Sequence, residues 1–356
     1  MNEIVMLVIG CGALIGGSDR ICGNRLNLGC KFDEGFSLLG PMALSMAGII
    51  CMAPFLSSIM SYTISPVFHL LGIDPAMAGS ILAIDMGGYP LAMNLAKSQQ
   101  IGAFSGIIAA SMFGCTIVFT IPVGMKVLPK NDQSLFLKGI SAGIVCMPAG
   151  LLAGGIVQGL PLLTVIHQSL PIIFLSAIIL YGLIRHTDAS IHLFSSFASL
   201  IQIFATAGLT ITAFQHITGI TVFPSLIPLP EAMETVVSIG IVMLGSLPTA
   251  ELLRRMLSRP LSWIGRKTGM NDAATTGIIV GCITVMPSLV MMKDMNPKGK
   301  IMCSCFLVCG AAILGAHLGF AAGTQPDLIT PLLAGKAVGA AISMAVAHKI
   351  CKPSGI

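Results

Sequence analysis

Charge is what this sequence has least of. Only 19 Lys or Arg and 14 Asp or Glu occur in 356 residues, 9% of the chain, against about 25% in soluble domains. With 55% hydrophobic residues and mean hydropathy +0.93, too few charges remain to cover a water-facing surface. A soluble globule is excluded, and a disordered chain, which needs the opposite composition, more firmly still. Aromatic residues are scarce as well. One Trp and three Tyr build no aromatic cage around a cation. No basic residue precedes the first apolar run in Met1-Asn2-Glu3-Ile4, so a cleavable signal peptide is not expected. The run from Ile4 to Gly17, followed by Arg20, Arg25 and Lys31, reads instead as a first anchor with its amino end outside.

Catalytic and metal-binding patterns are missing too. No Ser/His/Asp or Cys/His arrangement, phosphate loop or metal-spaced cluster rises above background, so neither an enzyme, a metal nor a cofactor is expected. The 11 Cys, with Cys303, Cys305 and Cys309 close together, follow no zinc spacing and read as packing residues in a reduced setting. His186, Asp188 and His192 fall in a loop and do not suggest a metal site. The net charge of +5 points to membrane orientation and not to nucleic acid.

What the chain has in quantity is apolar sequence. Segments of membrane-spanning character fall at about 4–18, 35–60, 76–96, 101–125, 138–160, 162–184, 190–217, 234–256, 273–292, 300–323 and 330–350. The expected fold is therefore an all-α polytopic membrane protein. The third segment contains Asp85-Met86-Gly87-Gly88-Tyr89-Pro90 and the ninth has Pro287 at a matching place; Gly-Gly and Pro interrupt a helix. Charge tests whether these two cross. If all eleven segments cross, the 19 Lys and Arg divide nine inside and ten outside. If the third and ninth re-enter, 17 lie inside against two outside, Lys97 and Lys336, in keeping with basic cytoplasmic loops. The re-entrant topology is expected, with the carboxyl end inside.

That topology makes segments 1–5 and 7–11 run in opposite senses. Faint self-similarity agrees. Gly72, Ala76, Pro90 and Gly102 match Gly269, Ala273, Pro287 and Gly299 at an offset of 197; Gly114 and Phe119 match Gly315 and Phe320 at 201. Gly139 and Gly143 match Gly335 and Gly339 at an offset of 196, both pairs being the Gly-x-x-x-Gly of close helix packing. The expected organisation is an inverted repeat, residues 1–160 and 190–356 about a linker at 161–189, as in secondary transporters.

Asp85 is the one carboxylate in the middle of an apolar segment, where an ionised acid is costly unless it binds something. Its bland alternative is a salt bridge with Lys336 or a helix-end contact. Beside it, Gly87, Gly88 and Pro90 free backbone carbonyls, and a carboxylate with free carbonyls suits a cation: an amine, Na⁺ or H⁺. Tyr89 offers a cation–π face. His317 is the only His well inside a segment, with Thr116 at its repeat mate; a lone His is more often a satisfied polar contact than a ligand. Thr116 and Thr120 are weighed against simple back-bonding to their own helix, and Lys336 against snorkelling outward. The basic run from Arg254 to Lys267 reads as a topology anchor facing anionic lipid.

Phe32-Asp33-Glu34-Gly35-Phe36, Asp85-Met86-Gly87-Gly88-Tyr89, Thr116-Ile117-Val118-Phe119-Thr120-Ile121-Pro122 and His317-Leu318-Gly319-Phe320-Ala321-Ala322 resemble the ethanolamine permease family of bacterial ethanolamine-utilisation systems. The likeness runs through nearly the whole chain. It implies a multi-pass inner-membrane protein admitting ethanolamine to a cytosolic pathway that makes acetaldehyde and ammonia inside a protein-shelled compartment. The chain departs from the family pattern at Thr284 and Val285, where the family has two Asn, and at Ala316, where it has Asp; it also stops soon after the eleventh segment.

The expected function is a permease for ethanolamine or a closely related amino alcohol. Asp85 accepts the ammonium; carbonyls of Gly87 and Gly88, with Thr116 or Thr120, contact the hydroxyl; Tyr89, Thr284 and His317 complete the site. A channel-like facilitator, or an ion-coupled transporter of another small organic cation, stays open as the alternative. So do proton or sodium coupling and a homo-oligomer.

Overall fold

The computed structural model describes residues 2–81 and 88–351. Every regular element among them is helical. Among the described residues, eight helices are long and apolar enough to cross a bilayer. They are α1 (Asn2–Ile21), α2 (Gly29–Thr63), α4 (Gln99–Val127), α5 (Lys130–Val157), α6 (Leu162–Arg185), α7 (Thr187–Thr218), the Leu229–Met256 part of α8 (Leu229–Thr268), and α13 (Pro326–Ile350). The third and ninth segments are different. The third is a 3-10 turn, Pro75–Ala78, with α3 (Gly88–Leu95); the ninth is α9 (Asp272–Gly281) and α10 (Val285–Met291).

Both are hairpins, because their ends are tied to each other. The carboxylate of Asp74, 7% exposed, accepts from Ala76 N–H at 2.9 Å and from the N–H groups of Lys97 and Ser98 at 3.2 and 2.9 Å. The side chain of Asn271, at the 197 offset from Asp74, accepts from Ala274 and Asn296 N–H at 3.2 and 3.3 Å. It also donates to the Asp294 carbonyl at 2.8 Å. A residue that caps the first turn thus also closes the exit. A helix that spans would place those ends about 30 Å apart.

The tenth segment carries a break that the sequence reading missed. α11 (Pro297–Gly310) stops, and α12 (Ala316–Thr324) resumes after a kink in which Ala312 has φ +51°. The break crosses the break of the ninth segment: Ala312 N–H donates to the Gly281 carbonyl and Leu314 N–H to that of Cys282, both at 2.8 Å. Each interruption therefore satisfies part of the other's backbone, which lipid cannot do.

Helix α4 is the centre of the molecule. Of its most apolar stretch 89% is buried, against 22% for α1 and α7, and Phe104–Gly114 and Thr116–Thr120 are wound as π-helix, a form concentrated at functional sites. α5 packs along α13 and α11, α1 along α8, and α7 along α2. Close approach explains the glycines. A Cβ on Gly335 would meet the Gly150 carbonyl and Gly154, and one on Gly139 would meet α11 at Ile301 and Ser304. The outer faces of α1, α6 and α7 expose Leu7, Leu14, Phe174, Ile178 and Ile203. The core falls into two main clusters, one centred on α4, α5 and α9–α11, the other on α1, α2, α8 and α12. The basic run after Met256 continues α8 as helix; Glu251 pairs with Arg254 and Arg255 at 2.6 and 2.8 Å, and Lys267 lies 3.8 Å over the Trp263 ring.

Candidate functional site

A cavity of about 340 Å³ lies at the seam between the two core clusters. Met42, Met243 and Leu247 form one wall and Val285 and Ala311 the other. Its polar lining is Glu34, Ser45, Cys115, Thr120, Thr284 and His317. From Glu34 to Ser45 it follows α2 for about 16 Å, at 1.5 Å per residue. The mouth is at Glu34, whose side chain is 43% exposed and paired with Lys31; the inner end is closed around Thr120 and His317, 1% and 2% exposed.

Three sequence-derived residues, Thr120, Thr284 and His317, meet here from three elements. Thr284 is there because the ninth segment is broken: it is extended backbone (φ −154°, ψ 143°) between α9 and α10. His317 is held on both ring nitrogens. The Ala311 carbonyl lies 3.0 Å from Nδ1 and can only accept, so Nδ1 carries the proton. The Cys115 thiol lies 3.4 Å from Nε2. The ring satisfies a carbonyl that the tenth-segment break leaves without a helical partner.

The other residues lie elsewhere. Thr116 is buried and back-bonds to the Met112 carbonyl at 2.6 Å, as weighed above. Gly88 opens α3. Tyr89 donates its hydroxyl to Gln325 Oε1 at 2.9 Å and stands edge-on to Phe320 at 5.7 Å. None of the three lines the cavity. Asp85 and Gly87 fall outside the described residues. Lys336 does not snorkel: it is 0% exposed and donates to the Ser111 carbonyl at 3.0 Å. It therefore leaves the outside tally of the charge count. The groups missed by sequence reasoning were Glu34, Ser45 and Cys115. Glu34 carries a signal, an acid opening an apolar run.

The end of the molecule opposite the Glu34 mouth is sealed by polar and ring contacts. Besides Tyr89, Gln325 and Phe320, the Asn2 side chain accepts from Thr330 and donates to the Asp327 carbonyl at 3.2 Å, tying α1 to the start of α13. At the Glu34 end, Arg20 pairs with Asp33 at 2.6 Å, and Arg255 donates to the Leu26 carbonyl at 2.8 Å.

Comparison with known proteins gives one consistent result. The family model described as "Ethanolamine utilisation protein, EutH" matches residues 1–350. A Listeria monocytogenes protein named "Probable ethanolamine permease EutH" is 38% identical, over 97% of this chain and 93% of its own. An Escherichia coli protein of the same name is 33% identical, over 98% and 95%. A Bacillus subtilis protein named "Uncharacterized protein YxeR" is 36% identical, over 98% and 94%. No solved structure matches.

Proposed function

Because the chain belongs to the EutH family of ethanolamine utilisation proteins, we propose that it is a bacterial inner-membrane permease for ethanolamine, or a close amino alcohol, working by alternating access. The observation that carries the reading is the seam cavity. It lies between two packing units, is walled by the paired breaks of the ninth and tenth segments, opens at one end and is sealed at the other. Its open end is also the end of Arg20, Lys31, Arg254 and Arg255, and basic residues collect on the cytoplasmic side. The structure is on this reading inward-facing.

The inverted repeat is supported by matched packing. α1 on α8 corresponds to α7 on α2, the third segment on α4 to the ninth on α11, and the Asp74 tie to the Asn271 tie. Two related halves, each with a hairpin beside a broken or π-wound helix, suit a rocking motion about a site at the seam.

Ethanolamine is a protonated amine with one hydroxyl. Asp85 accepts the ammonium, with the Gly87 carbonyl beside it; Gly88 lies off the cavity lining and takes no part. Thr120 contacts the hydroxyl, since the Thr116 hydroxyl is committed to Met112. Thr284 and His317 shape the path to Glu34, and Tyr89 holds the outer side closed. Uptake of labelled ethanolamine by purified protein in liposomes tests this. Saturable uptake with counterflow, strongly reduced in Asp85→Asn, is expected. Undiminished uptake in that variant overturns the role of Asp85, non-saturating flux without counterflow overturns alternating access, and no uptake by wild type overturns the substrate.

A further inference from the structure

Lys336 does not line the cavity, yet it is the most deeply buried charged residue described, at 0% exposure. An ammonium placed there without a partner is strongly disfavoured. Among the described residues no carboxylate pairs with it. Its hydrogen bond goes to a backbone carbonyl, Ser111 in the π-wound stretch of α4, at 3.0 Å. Cys115, Cys282, Cys309 and His317 lie within electrostatic reach of it, and Cys309 Sγ packs against the helix of Lys336 at Gly339, where an added Cβ would meet it at 2.9 Å.

Two of those neighbours locate it. Cys282 directly follows the last residue of α9, and Cys309 is in the last turn of α11. Both are at carboxyl-terminal helix ends, the negative ends of helix dipoles, so two such ends lie within electrostatic reach of the ammonium. Among the described residues, the groups within reach of it are a carbonyl and a thiol on α4, a thiol at the end of α9, a thiol on α11 and His317 on α12. None of these is a carboxylate. Half-helix C-terminal ends with unwound carbonyls beside them are where broken-helix transporters hold a small metal cation.

We propose that the Lys336 ammonium is a built-in replacement for that cation, so that the protein folds and transports with no sodium ion at this position. This rests on the transporter reading above, and it decides one coupling question within it. A tethered charge cannot leave with the substrate, so a sodium gradient has nothing to act on here.

The test compares purified full-length wild type, Lys336→Met and Lys336→Arg in sodium chloride and in N-methyl-D-glucamine chloride at equal ionic strength. The wild-type thermal midpoint is expected to agree in the two salts within about 1 °C. Lys336→Met is expected to fall, and to recover partly in sodium but not in the organic salt. Lys336→Arg, which keeps the charge, is expected to show no sodium response. Uptake in liposomes is expected to be unchanged for wild type without sodium, and to fall about tenfold or more in Lys336→Met. A wild-type midpoint or uptake that depends on sodium overturns the proposal, and so does Lys336→Met with equal midpoints in the two salts. Should Lys336→Met yield no folded protein, the sodium responses of wild type and Lys336→Arg decide. A wild type that takes up no ethanolamine overturns the substrate reading alone, because the thermal comparison uses no substrate.

Discussion

Replacing Asp74 by Ala removes one side chain from both ends of a hairpin. Its carboxylate accepts three backbone N–H groups, from Ala76, Lys97 and Ser98. Hydrogen bonds to a charged group contribute about 1.5–3 kcal/mol each when buried, and losing a helix cap alone costs about 1 kcal/mol. The Lys97 and Ser98 bonds are part-buried, so water replaces some of what is lost. The expected cost is about 2–4 kcal/mol. With an unfolding entropy of about 2.1 cal/mol/K per residue, that lowers the thermal midpoint by roughly 3–5 °C. Asp74→Asn keeps one acceptor oxygen and should lose about half as much. Asn271→Ala, in the other hairpin, removes neutral bonds of 3.2 and 3.3 Å and an exposed one of 2.8 Å and should cost less, about 1–2 kcal/mol. The assay is thermal unfolding of the purified protein in detergent, with all three variants side by side. An Asp74→Ala midpoint equal to wild type, or an Asn271→Ala loss exceeding it, would refute the view that these ties hold the hairpins shut.

Position-specific rescue separates the two ring nitrogens of His317: Asn carries an N–H close to the Nδ1 position and Gln close to Nε2. His317→Asn should stay within about 1 kcal/mol of wild type while His317→Gln loses about 1–3 kcal/mol, the cost of an orphaned buried carbonyl, read from detergent melts. Glu34→Gln should raise the KM for ethanolamine uptake by about twofold at low ionic strength, with the difference fading as salt screens the mouth; a difference that persists at high salt would contradict a field effect. Gly150→Val places a Cβ 2.8 Å from the Gly335 carbonyl. Backbone cannot swing aside as a side chain does, so the α5–α13 crossing must open, at a cost of about 1–3 kcal/mol or more, measured as a lowered midpoint. Tyr89→Phe removes the bond to Gln325, and a cysteine placed at Thr330 should then react faster with a membrane-impermeant thiol reagent; an unchanged rate would remove Tyr89 from the seal opposite the Glu34 mouth.

Much of the fold could be read from the sequence because the bilayer imposes a simple rule. Apolar length marks the spans, and the positions of a few Lys and Arg singled out the two segments that turn back. Pro90, Pro287 and the Gly-Gly pair marked their interruptions. The tenth segment escaped because its hydropathy is continuous from 300 to 323. Only Gly310 and Gly315 flank its kink, and Ala312 at positive φ has no sequence signature. Thr120, Thr284 and His317 could be named as polar groups in apolar surroundings, but their meeting could not. It depends on the crossing of two helix breaks, which no single segment encodes. Lys336 shows the same limit in reverse. One turn into a segment it looked free to reach the surface, and only the packing of α13 on α4 and α11 turns it inward.

The Asp74 hairpin also carries a consequence for how the chain is made. Its backbone amide donates to Gln168 on α6 at 2.7 Å, a contact 94 residues downstream. During synthesis the hairpin therefore emerges long before its last hydrogen-bonding partner. Too short to span, and with polar backbone at both ends, it has no stable resting place in lipid by itself. Insertion must proceed out of order, with the flanking helices seated first and the hairpin swung in once α6 arrives. Truncated nascent chains ending before Gln168 should leave the Asp74 region open to protease, and chains extended past α6 should close it.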